Sequence, residues 1–353
     1  MRRNIFRAAG LLLVSAAAVV AVGGAAAKHA ASVQVCVLLP DTKSSVRWVQ
    51  FDAPAFKAAF QKAGVTASIN NALNDPTKQK AQAQQCLASG AKVVIETALD
   101  NGSAAAIEKL FTSAGGKAID YDRQVLGGTA SIYITFDGKK VGEAQATGII
   151  AAMKANHTYS PSSTVAELFG GPTDQNAFWF KSGNDAIFNP LFAASKLKKG
   201  PEQFVPDWDA NNAATIFSQM LVKTNNNIQA VMAANDNIAG AVVADLKAKG
   251  LKPLPLSGQD ATAQGIQYII SGWQSGTVYK YVPLEANAAA SAAIAFLHGT
   301  KPHANSVRPN GKTMEPTQTL PVTWITKSNY TQLFTQGFLK KSEVCVGTYK
   351  QYC

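Results

Sequence analysis

The sequence predicts an α/β protein built as two doubly wound parallel-sheet lobes. Three observations carry this. Short apolar stretches that read as strands alternate with helical stretches from Val33 to Leu297. The alternation runs through two cycles, the second beginning near Lys139. No Pro-, Gly- or Ser-rich linker separates the cycles, so the lobes are expected to be joined by several short crossings. Alternation of this kind implies parallel sheets with helices on both faces.

Each element has its own signal. Val33 to Leu39 is largely apolar, as expected for a strand buried on both faces. Ala53 to Lys62 has helical periodicity and stops at Gly64. Thr66 to Asn70 reads as a strand. Pro76 opens a helix to Ala88, and Gly90 ends it. Val93 to Ile95 is another buried strand. Ser103 to Ser113 is a helix stopped by Gly115-Gly116. Lys117 to Asp120 and Ser131 to Phe136 complete the strands of the first cycle.

The second cycle starts with a helix over Lys139 to Lys154. A strand follows at Thr164 to Phe169, then Gly170-Gly171-Pro172 and a helix from Asn176 to about Ile187. Gln203 to Pro206 reads as a short strand and Ala210 to Val222 as a helix. Ile228 to Met232 is a strand, Ile238 to Lys249 a helix and Leu254 to Ser257 a strand. Ala263 to Ser271 is a helix and Thr277 to Tyr281 a strand. Ala286 to Leu297 is an Ala-rich helix, explained by propensity and close packing.

Composition narrows the class. With 353 residues there is room for two medium domains, and 47% hydrophobic against 16% charged residues allows sizeable cores. Residues 1–27 read as a signal peptide: Arg2, Arg3 and Arg7 precede an apolar run from Ala8 to Val22, and Ala25-Ala26-Ala27 fits a cleavage site. The apolar run is short for a membrane span. The expectation is an exported protein, periplasmic or associated with the cell envelope. The formal charge is +11, and losing those three arginines leaves +8. The positive residues are scattered and no aromatic-interleaved patch occurs, so the charge serves solubility and no nucleic-acid partner is expected.

Four cysteines, Cys36, Cys86, Cys345 and Cys353, permit three complete pairings. Export makes disulfides possible. Cys345 and Cys353 close a short loop. Cys36 lies in the first strand, and Cys86 near the end of a helix expected to pack beside it. The expected pairs are Cys36–Cys86 and Cys345–Cys353. No Cys/His spacing suggests a metal, and no cofactor is expected.

Ligands of parallel α/β sheets bind beyond the carboxyl ends of the strands. The polar residues just after the strands are therefore the candidates. They include Arg47 and Trp48, Asp122 and Arg123, Asp174 and Asn176, Trp208, Asn235, Asp260 and, at the end of its own strand, Lys280. Asp41, Lys43, Gln175 and Asp236 occupy similar places. The set holds Arg, Lys, Asp, Asn and Trp but almost no His, Ser or Cys. That suits recognition of hydroxyls: carboxylates and amides accept their protons, while Arg and Lys donate to their lone pairs. Trp48 or Trp208 offers a face to the apolar C–H side of a sugar ring. Each residue also has a structural reading. Asp236, Asn176 and Asp260 are placed to cap helices, Arg123 to pair with Asp122, and Trp208 to fill core.

The motifs Tyr121-Asp122-Arg123, Gly170-Gly171-Pro172-Thr173-Asp174-Gln175-Asn176, Ala234-Asn235-Asp236, Ser257-Gly258-Gln259-Asp260 and Thr277-Val278-Tyr279-Lys280 resemble those of bacterial xylose-binding proteins. Those are type I periplasmic binding proteins, and the match runs from about Val33 to Gly347. The resemblance implies two lobes joined by a three-segment hinge, with a sugar closed between them. Residues 33–137 with 282–320 would form the N-terminal lobe, and 138–281 with 321–353 the C-terminal one. It carries Arg47, Asp122 and Arg123 as contacts from the first lobe. It carries Asp174, Asn176, Trp208, Asn235, Asp260 and Lys280 as contacts from the second lobe or the hinge. The family often has an acid where Val46 stands, and Phe178-Trp179 is bulkier than expected. The implied function is that of a monomeric receptor handing a monosaccharide, such as xylose or a related aldopentose, to the membrane permease of an ABC importer. Two alternatives share the inventory: a secreted sugar-modifying enzyme using a carboxylate pair such as Asp174 and Asp260, and a sugar-sensing subunit of a membrane receptor kinase. Arg and Lys neighbours are expected to favour the ionised form of both carboxylates, which argues against a catalytic acid.

Overall fold

The computed structural model describes residues 32–311 and 313–353; the leader read at 1–27 lies outside them. The first sheet begins with β1 (Val35–Leu39), whose five residues are all buried. A π-helical turn at Trp48–Asp52 leads into α1 (Ala53–Ala63). This helix ends at Gly64, where φ is +67°, a conformation glycine adopts without a Cβ clash. Then follow β2 (Ala67–Asn71), α2 (Pro76–Ala88), β3 (Val93–Glu96), α3 (Asn101–Ser113), β4 (Lys117–Tyr121) and β5 (Ile132–Phe136). Asp75 and Asp100 cap α2 and α3 by accepting from backbone N–H groups of the first turn.

The chain then passes to a second group of elements. These are α4 (Gly138–Ala155), β6 (Thr164–Phe169), α5 (Gln175–Ala193), β7 (Lys198–Phe204), α6 (Ala210–Lys223), β8 (Ala230–Ala233), α7 (Asp236–Ala248), α8 (Ala263–Ile270) and β9 (Thr277–Tyr279). It returns through α9 (Val282–Leu297), β10 (Ser306–Asn310) and β11 (Thr313–Leu320). A last crossing leads to β12 (Thr323–Ile325), α10 (Gln332–Thr335) and α11 (Lys341–Val344).

The first sheet has the order β10-β11-β5-β4-β3-β1-β2. All its pairs are parallel except β10–β11. The second is β7-β6-β8, also parallel. Single bridges carry it onward, from Val231 to Leu256 and from Gln259 to Val278. β9 pairs antiparallel with β12. Helices cover both faces of the first sheet. On one, α9 lays Ala286, Ala289, Ala290 and Ala293 against Val37, Ile95 and Ile134; the alanines allow close approach. On the other, Leu38, Ala83, Ile107 and Phe111 surround the disulfide joining Cys36 and Cys86. Cys345 and Cys353 are joined as well. Among the described residues no helix is long and apolar enough to cross a membrane.

Three local readings need correction. The strand expected at Leu254 to Ser257 shrinks to one bridge at Leu256, because Pro253 and Pro255 carry no N–H to donate. The strand expected at Gln203 to Pro206 is longer and earlier, β7, with its polar residues partly or fully exposed at a sheet edge. β10, β11 and β12 went unread because their sequences, rich in Ser, Thr, Asn and Pro, lack a run of apolar residues.

One buried cluster consists of carboxyls. Glu96, Glu108, Asp120 and Glu315 are all within the first sheet and α3, at most 3% exposed, and among the described residues no Lys or Arg pairs with them. Asp120 accepts from the Val125 N–H at 2.7 Å, and Glu315 accepts from Gln124 and Asn310 at 3.1 Å each. One oxygen each of Glu108, Asp120 and Glu315, and both of Glu96, have no hydrogen-bond partner. Burial raises all four carboxyls; repulsion from neighbouring carboxylates adds to this at Glu96, Asp120 and Glu315, the last of which reaches about 7. A folded-state pKa above the unfolded one gives stability that is complete below the unfolded value and lost as pH rises through the folded one. The shift at Glu315 alone corresponds to about 3 kcal/mol. The melting temperature is therefore expected to fall between about pH 4.5 and about pH 8, and Glu315→Gln to flatten that fall. A melting temperature that climbs over the same range would contradict this.

Candidate functional site

The candidate residues converge where the strand ends of the two sheets face each other. Arg47 and Trp48 come from the loop after β1, and Asp122 and Arg123 from the loop after β4. Asp174 and Asn176 open α5 after β6, and Trp208 ends a short 3-10 turn after β7. Asn235 caps α7 after β8, Asp260 follows the Leu256 bridge and Lys280 follows β9. All ten line one small, nearly filled cavity of about 30 Å3. A larger groove beside Leu320, Pro321 and Trp324 is mostly apolar, and its charged residues Lys140 and Glu143 pair with each other in solvent. The converging buried charges make the smaller cavity the candidate site.

The backbone is strained at several of these positions. Asp122 has φ +62°, Trp208 +55° and Asp260 +93°, all in the left-handed region that non-glycine residues rarely occupy. Such strain persists only where the surroundings hold it, and it gathers at ligand-contacting loops. Gly170 has a related role. A Cβ there would lie 2.1 Å from the Trp208 ring, so only glycine lets this indole lie across the end of β6.

Arg47 is the most constrained side chain of the site, 2% exposed. Its Nε and Nη2 donate to the two Asp52 oxygens at 3.0 and 2.8 Å, Nη1 to Asp122 at 2.6 Å, and Nη2 to Glu285 at 2.5 Å. Burial works against its charge, but its acidic neighbours, Asp122 and Asp52 foremost, outweigh it and hold its pKa well above the usual value. The guanidinium carbon lies 4.4 Å from the centre of the Trp48 ring, and that of Arg123 lies 5.6 Å from it. Trp48 donates to Ser44 Oγ at 3.0 Å, and Ser44 in turn to Asp41. Part of the Trp48 face is thus occupied by protein cations.

Asp122 is buried, which would raise its pKa; Arg47, Lys280 and Arg123 overcome this and hold it below the ordinary carboxylate value. Asn176 Nδ2 donates to the Asp122 carbonyl at 2.7 Å. Arg123 donates to the Ala98 carbonyl at 3.0 Å, and its Nε lies 3.0 Å from Asp174 without the alignment of a hydrogen bond. Asp174 also accepts from Trp208 Nε1 at 3.2 Å and from the Asn176 N–H at 2.9 Å. Its pKa is raised by burial despite Arg123. The helix caps are therefore Asp174 and Asn235, not Asn176 and Asp236. Asp236 instead accepts from Thr262 and Gln274, and Thr262 caps α8.

Contacts also join the two sides. Ser45 donates to Asp260 at 2.8 Å, Asn235 to the Ser44 carbonyl at 3.0 Å and Asn237 to the Lys43 carbonyl at 2.6 Å. Lys280 Nζ lies 3.3 Å from Asp260 and 3.7 Å from Asp122. Arg123 Nε, Gln259 Oε1 and Asp260 Oδ1 are buried at this cavity with no hydrogen-bond partner.

Four lining residues were not among the candidates: Ser44, Ser45, Phe180 and Gln259. Each had a signal. Ser44 and Ser45 share the strand-end loop of Arg47, Gln259 precedes Asp260, and Phe180 lies one helical turn after Asn176. Behind them stand Asp52, Tyr121 and Glu285. The Tyr121 hydroxyl donates to Asp52 in a very short hydrogen bond.

Comparison with known proteins gives the following. A family model described as a periplasmic binding protein domain matches residues 35–301. A D-xylose-binding periplasmic protein of Escherichia coli is 31% identical over 320 residues, covering 90% of this chain and 94% of that one. A multiple sugar-binding periplasmic protein of Azospirillum brasilense is 30% identical over 305 residues, covering 82% and 85%. The crystal structure of a carbohydrate transporter solute-binding protein from Chloroflexus aurantiacus, in complex with D-glucose, superposes with a TM-score of 0.80. It is 28% identical and covers 88% of this chain and 98% of that one.

Proposed function

The chain belongs to the periplasmic binding protein domain family, and from that premise we propose that it is an exported receptor of an ABC-type importer, holding one monosaccharide without altering it. The observation that carries this reading is the charge balance of a single buried cavity. Arg47, Arg123 and Lys280 face Asp122, Asp174 and Asp260 around it, with Trp48 and Trp208 in its wall. Equal numbers of strong donors and strong acceptors suit a neutral ligand dense in hydroxyls, each of which donates and accepts. Arg123 Nε, Gln259 Oε1 and Asp260 Oδ1, which make no hydrogen bond within the protein, suit such groups. The lining holds neither His nor Cys, and its two serines donate to the carboxylates of Asp41 and Asp260, where they serve to fix loops, which supports binding over chemistry.

The sugar we assign is xylose or a related aldopentose, with a hexose as the alternative. Residues 33–137 with 282–320 form one lobe in this reading, and 138–281 with 321–353 the other. They hinge at Asp137, Tyr281 and Pro321 and close when second-lobe contacts to the sugar are added. A membrane permease then distinguishes the loaded form.

A thermal-shift screen against D-xylose, D-ribose, D-arabinose and D-glucose tests this. A ligand at a hundred times its Kd adds about 2.7 kcal/mol, which raises the melting temperature by roughly 5 °C or more. Small-angle scattering is expected to show a smaller radius of gyration with the same sugar. No shift with any pentose or hexose, or conversion of the sugar over many turnovers, would overturn the proposal.

A further inference from the structure

Arg47 has five N–H groups. Two go to Asp52, one to Asp122 and one to Glu285. That leaves a single N–H, on Nη1, for anything in the cavity. How that last donor points depends on the three acids that hold the rest of the guanidinium. Two of them are near in the chain or in the site. The third is not: Glu285 is 238 residues from Arg47 and sits in the first turn of α9, four residues beyond the crossing at Tyr281.

We propose that Glu285 is a positioning residue for sugar recognition, acting through Arg47 and linking the hinge crossing to the binding cavity. The proposal rests on the reading of the cavity as a sugar site. Glu285 is fully buried, and its second oxygen, Oε1, has no partner. The charged and titratable groups facing it are Arg47, Asp52, Asp122, Lys280 and Tyr121. Burial raises its pKa, Arg47 and Lys280 oppose this, and Asp122 and Asp52 add to it, leaving it at about 8. At neutral pH it therefore carries a proton while it accepts from Arg47.

Above that point three carboxylates confront one guanidinium. The extra charge draws Arg47 back towards α9 and weakens its last N–H as a donor. Closing the cleft also removes water that would solvate the new charge. Both effects disfavour the loaded, closed form. The carboxyl keeps its proton to higher pH in the loaded state than in the empty one. Affinity is thus complete below the empty-state pKa and lost as pH rises through the loaded-state value, by at most tenfold per pH unit for one proton.

The test is calorimetric titration with D-xylose, and in parallel D-glucose, between about pH 6.5 and about pH 9. In the wild type the affinity for the bound sugar is expected to fall about fivefold to tenfold between pH 7 and pH 9. Glu285→Gln, which has no proton to lose, is expected to give a flat profile over that range. Glu285→Ala frees one Nη2 hydrogen and is expected to bind about tenfold more weakly at pH 7. A Gln variant that still follows the wild-type fall, or an Ala variant with wild-type affinity, overturns the positioning role. If the Ala variant does not fold, as judged by circular dichroism, the Gln profile alone decides. A wild type that binds neither sugar at any pH overturns the reading of the site together with this inference.

Discussion

Arg123→Ala and Asp260→Ala are each expected to weaken sugar binding by roughly a hundredfold or more while the protein remains folded. Both residues lie on loops beyond strand ends, so neither holds a sheet together. Their roles are complementary. Arg123 is supplied by the first sheet and Asp260 by the second, and both present a buried atom without a hydrogen-bond partner to the same cavity. Removing Arg123 also takes away the ion-pair partner of the buried Asp174, leaving only the more distant Lys280 to oppose its desolvation. Burial already raises the Asp174 pKa while Arg123 opposes the rise. In the variant that opposition is gone and the Asp174 pKa rises further, so the site loses a donor and a stabilised anion in one step. Arg123→Lys is not a conservative change here. An ammonium cannot reproduce the fork that meets both the Ala98 carbonyl and Asp174.

At Asp260 two effects need separating. The side chain accepts from Ser45 across the cavity and attracts Lys280, and the backbone is at φ +93°. Alanine disturbs both. Asparagine tolerates positive φ and keeps the shape while removing the charge, so Asp260→Asn isolates the electrostatic part. Calorimetric titration of the three variants with the preferred sugar, beside circular-dichroism melts, is the measurement. Wild-type affinity in both alanine variants would remove these residues from the binding site.

The legibility of the fold followed burial. β1, β3, β5 and β6 are buried along their whole length and stood out as apolar runs. β7 and β10 are mostly exposed edge strands, so β7 was read only at its end and β10 not at all. The ten cavity residues were legible because a parallel sheet sends every strand end to the same side, which turns position along the chain into position in space. What the sequence concealed is contact at a distance. Leu284-Glu285-Ala286 reads like the surface of any helix, and only the packing of α9 against the first sheet brings Glu285 to Arg47. Backbone strain was equally hidden. Asp207-Trp208 and Asp260-Ala261 adopt left-handed conformations that other residue types, Gly or Asn, would have advertised.

The two disulfides are expected to differ sharply in what they contribute. Cys36 and Cys86 are 50 residues apart in the chain, Cys345 and Cys353 only 8. Restriction of the unfolded chain by loops of these sizes corresponds to about 4 and about 2.5 kcal/mol. Packing widens the gap. Cys36 and Cys86 are buried among Leu38, Ile107 and Phe111, where β1 meets α2. The C-terminal pair closes a turn at Gly347–Tyr352 with no buried residue, and an exposed terminus of this kind opens locally at little cost to the rest. The C36A/C86A variant is therefore expected to melt roughly 10 °C below the wild type. C345A/C353A is expected to lose less than half as much and to keep its affinity for sugar. Equal losses in the two variants, or a larger loss from the C-terminal pair, would mean that the tail is an integral part of the second lobe's cooperative unit. The packing of Val344 and Tyr349 with Ile266, Ile269 and Leu333 would then be the interaction to dissect next.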